Sequence, residues 1–206
     1  MSEFGVYVHI PFCRHRCDYC AFATWTDRDH LMVAYVDAVI ADIERTVKSG
    51  MPVADTVFFG GGTPTRLAPE LLASIVNAIP VTSNAEITIE CNPDDVTVEM
   101  MKIYAAAGVN RISMGVQSMV EHVLQSLNRT HDPANVVKAI AAAREGGITS
   151  INLDLIYGVH GESVDDWRTT VEQTIALQPT HISAYGLTVE AGTPLAEDPS
   201  RHPDDD

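Results

Sequence analysis

Apolar residues in this chain recur in two alternating rhythms, short runs with a period of two and longer stretches with helical spacing. The short runs predict strands near 4–10, 55–60, 86–91, 111–116, 150–156 and 181–188. The longer ones predict helices over roughly 29–48, 69–79, 96–107, 132–145 and 163–177. Strands that alternate with helices of this length pair in parallel through crossovers, which places the chain in the α/β class.

The predicted helices carry their own punctuation. Pro69 and Pro133 stand where a first helical turn tolerates a missing N–H. Ser163 followed by Asp166 has the form of a capping box. Gly108 and the pair Gly146-Gly147 are expected to end their helices in left-handed geometry. In the first helix Leu31, Tyr35, Ala38, Val39 and Ile43 form one apolar stripe, expected to pack on the sheet.

Side chains of a strand alternate faces. Ile87 and Ile89 share one face and Glu86, Thr88 and Glu90 the other. Ile112, Met114 and Val116 oppose Arg111, Ser113, Gly115 and Gln117, and Ile151, Leu153 and Leu155 oppose Ser150, Asn152 and Asp154. The apolar faces belong under helices, so the polar faces turn toward a shared interior. On any single strand those polar residues could equally be strand ends touching water. Three strands in register favour a polar ligand cleft, and with it a curved, barrel-like sheet over a flat doubly wound one.

Composition narrows the partners. The 206 residues suffice for one well-buried core. Twenty-eight acidic against thirteen basic residues give a net charge of −15, which argues against binding a nucleic-acid backbone or an anionic membrane surface. No apolar run reaches the length of a membrane span, and the N-terminus lacks the build of a signal peptide. The chain is therefore expected not to be an integral membrane protein. Cysteine usage suits a reducing interior, so the cytoplasm is the expected compartment.

The densest chemistry lies at Cys13, Cys17 and Cys20, three of the four cysteines, spaced C-x3-C-x2-C directly after the first strand. Three thiolates leave a structural zinc one ligand short, which His9 or His15 could supply. They also leave a cubane iron–sulfur cluster with one open iron; a disulfide pair is the remaining option. Gly60-Gly61-Gly62-Thr63-Pro64 follows the second strand and opens at the same end of the sheet. Its consecutive N–H groups are the kind that can receive a carboxylate, although such a turn is often only a turn. Cys91 reads as a small buried hydrophobe. His122, His131, His160 and His181 show no ligand spacing.

These motifs, in this order, resemble the radical S-adenosylmethionine (SAM) part of the oxygen-independent coproporphyrinogen oxidase family, most similar within it to the HemW haem-chaperone branch. The resemblance runs from about Val6 to Leu195 through Tyr7-x-His9-Ile10-Pro11-Phe12-Cys13, Gly60–Pro64, Gly115-Val116-Gln117-Ser118, Asn152-x-Asp154-Leu155-Ile156-Tyr157-Gly158 and Gly192-Thr193-Pro194-Leu195. It implies a parallel (β/α)6 partial TIM-like barrel of the radical SAM type, with a core domain over 1–198; the remaining 199–206, which end in Asp204, Asp205 and Asp206, read from their own composition as an acidic, disordered tail. It also implies that Cys13, Cys17 and Cys20 ligate a [4Fe-4S] cluster whose open iron takes SAM. Tyr7 and Tyr19 would flank SAM, Gly61, Gly62 and Thr63 would hold its methionyl end, and Glu90, Gln117, Arg129 and Asp154 would position its polar groups. Thr188, in the sixth strand, would add a further contact. The implied chemistry is one-electron cleavage of SAM to a 5′-deoxyadenosyl radical, with no catalytic acid–base pair. The implied partners are SAM, an electron-donor protein, and in the full-length protein haem and a haem-accepting protein. Phe22 departs from the family's oxidases, which carry a fourth cysteine there; this favours haem handling over the alternative, porphyrinogen oxidation. A zinc-stapled, non-catalytic module is the third reading. The family's C-terminal domain lies outside the sequence, which reads as a fragment or a truncated product.

Overall fold

The computed structural model describes residues 4–203. Six parallel strands form one sheet in the order β1-β2-β3-β4-β5-β6: Gly5–Ile10, Ala54–Gly61, Val81–Cys91, Arg111–Gln117, Ser150–Tyr157 and His181–Gly186. Each strand lies beside its predecessor without reversal. This is the topology of a barrel wall, whereas a doubly wound sheet changes direction at its middle. The helices are α1 Met32–Lys48, α2 Pro69–Ala78, α3 Val98–Ala106, α4 Glu121–Ser126, α5 Pro133–Glu145 and α6 Val164–Ala176.

The apolar face of the sheet is the core. Val8, Ile10, Val57, Phe59, Ile87, Ile89, Ile112, Met114, Ile151 and Leu153 are all buried. They meet Leu72 and Ile75 of α2, Met101 and Tyr104 of α3, and Val136 and Ile140 of α5 in one continuous cluster. Burying a side chain of this size contributes about 1.5–3 kcal/mol, so this face alone commits the sheet's orientation. The opposite, polar face follows by alternation.

Several local expectations change. In α1 only Val36 is fully buried, and the packed side is Met32, Tyr35, Val39, Ile40 and Ile43. Leu31 and Ala38 of the expected stripe are exposed; Leu31 precedes the helix in a 3-10 turn. β3 starts at Val81, earlier than the alternation suggested, because its first residues are largely exposed and pair through a register shift at Ala54/Thr56. β6 ends at Gly186, short of the expected 188. The short α4 went unforeseen because six residues span too few turns to show a period. Of the glycine pair only Gly147 (φ 98°) is left-handed; Gly146 (φ −73°) keeps helical backbone. The segment after 198, expected to be disordered, instead forms a helical turn at Pro199–Arg201 held by Arg201; residues 204–206 of that tail lie outside the described residues.

The capping box at α6 is present, with the Asp166 N–H donating to Ser163 Oγ at 3.1 Å and the Ser163 N–H donating to Asp166 at 2.9 Å. Ser163→Ala is expected to cost about 0.5–2 kcal/mol, read as a lower midpoint in thermal unfolding followed by circular dichroism. An unchanged midpoint would show that the helix does not depend on its cap.

Candidate functional site

The loop from Pro11 to Trp25 leaves β1 and is closed at its base by backbone pairs, Cys13 N–H to the Trp25 carbonyl (3.0 Å) and Trp25 N–H to the Pro11 carbonyl (2.8 Å). Cys13 is buried, Cys17 and Cys20 are half-buried, and all three are free thiols. Arg16 clasps the loop from outside, its Nη2 donating to the Cys20 carbonyl at 3.2 Å. Asp18 anchors it from beneath. Its carboxylate accepts from Asn128 Nδ2 (2.7 Å) and pairs with Arg201 (2.8 Å), and its carbonyl accepts from the Leu195 N–H (3.0 Å). The chain beyond β6 thus returns to brace the cysteine loop.

Polar atoms meet the thiols directly. The Thr63 hydroxyl lies 3.6 Å from Cys13 Sγ and Arg129 Nη1 lies 3.5 Å from Cys17 Sγ, both placed to donate. Burial pushes the Cys13 thiol up, with the Thr63 hydroxyl opposing it, and burial likewise pushes Cys20 up. An iron centre reverses that cost by taking the thiolate as its ligand. Three unpaired thiols on one loop fit the donor set of a cubane cluster, with one cysteine to each of three irons. His9 is not free to complete a zinc site. Its Nε2 donates to the Ala23 carbonyl at 2.9 Å, which leaves Nδ1 to accept from the Tyr7 hydroxyl at 3.1 Å. Among the described residues no three His, Cys, Asp or Glu side chains are grouped as a single metal ion needs.

The inner face of the sheet carries the rest. Register places Glu90 beside Ser113, Ser113 beside Asn152, and Gly115 beside Asp154, which lies beside Ser183. The Asp154 carboxylate accepts from Ser113 Oγ at 2.6 Å and Asn152 Nδ2 at 2.8 Å, so its position is fixed before any ligand arrives. Glu90 accepts from the Gly61 N–H at 3.1 Å. Burial, and then the Asp154 charge, push its carboxyl up to about 7 against the Gly61 hydrogen bond. Gln117 reaches this face by an unexpected route. A register shift between Gly115 and Gln117 breaks the alternation, and Gln117 adopts φ 62°, turning its side chain back over Gly115, where a Cβ would stand 2.9 Å from its Nε2. A non-glycine residue held there stores strain of the kind that clusters at functional sites. Arg129 joins the face through Nη2, which donates to the Gly115 carbonyl at 2.8 Å.

Other expected contacts change in character. The N–H groups of Gly61, Gly62 and Thr63 are all taken, by Glu90, the Ile10 carbonyl and the Phe12 carbonyl. The turn therefore does not offer a free row of donors to a carboxylate. It packs closely instead: a Cβ on Gly62 would lie 2.7 Å from the Ile10 oxygen. Tyr7 is exposed and stacks on Phe58 (centroids 6.2 Å apart). Tyr19 packs beneath the loop against a small cluster of Val123, Leu127, Ile156 and Val159, its phenol pushed up by burial. Thr188 lies beyond β6, exposed, its hydroxyl donating only to the Gly186 carbonyl at 3.5 Å. Cys91 is buried away from the loop, its thiol 3.6 Å from the Ile89 carbonyl. Sequence reasoning missed Asp18, Asn128, Arg201 and His131. Each acts through a partner distant in sequence, or through a loop without period; only Ser113 and Asn152 were signalled, by the alternation.

Comparison with known proteins agrees with this geometry. The sequence profile of the Radical SAM superfamily matches residues 7–174. The chain is 40% identical over 217 aligned positions to the heme chaperone HemW of Mycobacterium tuberculosis, covering 100% of this chain and 56% of that protein. It is 36% identical to HemW of Escherichia coli, again covering 100% and 56%. Among solved structures, coproporphyrinogen III oxidase (HemN) from Escherichia coli superposes with a TM-score of 0.83 at 30% identity, over 90% of this chain and 44% of that one. The chain thus spans about half the length of the relatives it matches. A sheet of six parallel strands, a three-cysteine loop at its C-terminal end and a family profile over most of its length agree: the chain belongs to the radical SAM superfamily.

Proposed function

We propose that Cys13, Cys17 and Cys20 hold a [4Fe-4S] cluster, that SAM binds at its open iron, and that the protein serves in handling haem rather than oxidising a porphyrin. The observation that carries this reading is the convergence of the three free thiols and the carboxylates Glu90 and Asp154 on one end of the sheet. When bound, the cluster supplies the electron for reductive cleavage of SAM. The chain's own share is positioning. Asp154 and Glu90 are acceptors for ribose hydroxyls and an ammonium group, Gln117 brings a further donor and acceptor, and Arg129 places a fixed positive charge beside Cys17. By resemblance, Tyr7, Tyr19 and Thr188 complete the proposed contacts, and Gly61, Gly62 and Thr63 would border the methionyl end of SAM through close backbone approach, since their N–H groups are already paired. Haem, a haem-accepting protein and an electron donor are the proposed partners, and the cytoplasm the proposed compartment. Among the described residues no helix is long and apolar enough to cross a membrane.

Identity to heme chaperones along the whole chain supports the haem reading over the oxidase reading. So does Phe22, whose exposed ring offers no sulfur where oxidases carry their fourth cysteine. The oxidase reading draws on the overlay with coproporphyrinogen III oxidase. Incubation with coproporphyrinogen III, SAM and an anaerobic reductant separates the two. The expected result is no protoporphyrinogen above a cluster-free control; measurable product would make the oxidase reading the leading one.

Anaerobic reconstitution is expected to load about four irons and four sulfides per chain. Iron analysis should show Cys13→Ala, Cys17→Ala and Cys20→Ala each losing the cluster and Cys91→Ala keeping it. Loss with Cys91→Ala as complete as with Cys17→Ala would refute the ligand set.

Removing a charged acceptor costs roughly 1.5–3 kcal/mol, about one to two decades of affinity. Asp154→Ala is accordingly expected to weaken SAM binding by that much, at constant iron content. Glu90 adds a pH dependence. Its carboxyl, raised to about 7, is protonated below that pH and ionised above it. An ammonium partner favours the ionised form, so SAM affinity should rise as pH goes from 6 to 8, and Glu90→Gln should flatten the change. A wild-type titration that weakens over the same range would contradict the role given to Glu90.

A further inference from the structure

Arg129 is the one cation whose side chain meets a cysteine sulfur of the loop among the described hydrogen bonds, and its orientation is not left to chance. Nη1 points to Cys17 Sγ (3.5 Å), Nη2 donates to the Gly115 carbonyl (2.8 Å), and Nε donates to His131 Nδ1 (3.3 Å). The guanidinium is a flat fork, so three contacts at its three nitrogens fix both its position and its plane. The imidazole that takes the third contact is 5% exposed. It is also set in place by its neighbours on either side. Asn128, in left-handed backbone (φ 53°), ties the near end of the segment to Asp18. Asp132 caps α5 at the far end, accepting from the Ala134 N–H at 2.7 Å.

We propose that His131 is a positioning residue: its Nδ1 holds the Arg129 guanidinium over Cys17 and so sets the charge and hydrogen bonding at the cluster's sulfur. The proposal rests on the cluster reading above. Burial and the Arg129 charge push the imidazole down to about 4. At neutral pH the ring is therefore uncharged, with an Nδ1 lone pair for the guanidinium. The consequence is electronic. Hydrogen bonds and positive charge at a cluster sulfur favour the reduced cluster, which carries the extra negative charge. A mobile Arg129 would favour it less.

The test is a redox titration of the reconstituted chain, read by low-temperature magnetic resonance, for wild type, His131→Leu and His131→Asn. Leucine keeps the bulk and removes the acceptor; asparagine restores an acceptor at the same distance from Cβ as Nδ1. His131→Leu is expected to keep its iron and to shift the midpoint negative, lowering the reduced-to-oxidised ratio at a fixed potential by roughly threefold to tenfold. His131→Asn should recover most of that shift. Arg129→Lys keeps the charge and lacks the Nε–H that meets His131, so it interrogates the same contact should the leucine variant not fold. It is expected to fall at least as far, and His131→Asn should then make no further difference in the Arg129→Lys background. A loaded wild type and a loaded His131→Leu with equal midpoints would overturn this proposal alone. So would His131→Asn shifted as far as His131→Leu, or Arg129→Lys at the wild-type midpoint. A wild type that takes up no cluster would overturn the cluster reading and this proposal together.

Discussion

A parallel sheet sends the C-terminal ends of all its strands to one side, and the whole chemistry of this chain depends on that constraint. The cysteine loop follows β1, the glycine turn follows β2, Glu90 stands near the end of β3, Gln117 ends β4 and Asp154 lies toward the end of β5. Residues separated by more than a hundred positions in sequence come within hydrogen-bond distance as a result, Arg129 and Cys17 among them. What keeps the sheet parallel and correctly faced is burial on one side only. Ile10, Phe59, Ile89, Ile112, Ile151 and Leu153 are sealed under helices, and a one-residue slip in any of these strands would exchange that apolar row for the polar one.

The polar side is organised before any ligand is present. Asp154 is gripped by Ser113 and Asn152, Asn152 in turn accepts from Ser183 (3.1 Å), and Glu90 is held by the Gly61 backbone. Such networks are stable only when nearly every member is satisfied, which is why the inner face can tolerate buried Thr88, Ser113 and Asn152. The balance of charge is local. A chain of net charge −15 concentrates cations where they touch the site, with Arg16 over Cys20, Arg129 against Cys17 and Arg201 beneath Asp18.

How much of this was legible in the sequence follows from the range of each interaction. Strands and helices were readable because their periods are local, and the inner carboxylates because alternation by two projects them onto one face. The Ser163 cap was readable for the same reason: both partners lie within four residues. Gln117 was placed on the correct face by a rule its backbone does not obey, since a bulge and a left-handed residue cancel. As a row of free donors the glycine turn misled, because its N–H groups find partners at Ile10 of β1, at Glu90 of β3 and at Phe12 in the loop after β1, which only the folded register supplies. The brace from Leu195 and Arg201 to Asp18 joins sequence positions far apart, and nothing in the acidic tail announces it. Thr188 and Leu31 were misplaced by a few residues at element ends, where the periodic signal fades.

The central claim is that three cysteines leave one iron open and that SAM occupies it beside the polar face. Low-temperature electron paramagnetic resonance of the reduced, reconstituted chain tests it most directly, with spectra taken before and after addition of SAM. Occupation of the open iron should change the g-values of the reduced cluster in the unmodified chain. Superimposable spectra at saturating SAM, in a sample that carries its full complement of iron, would contradict the account.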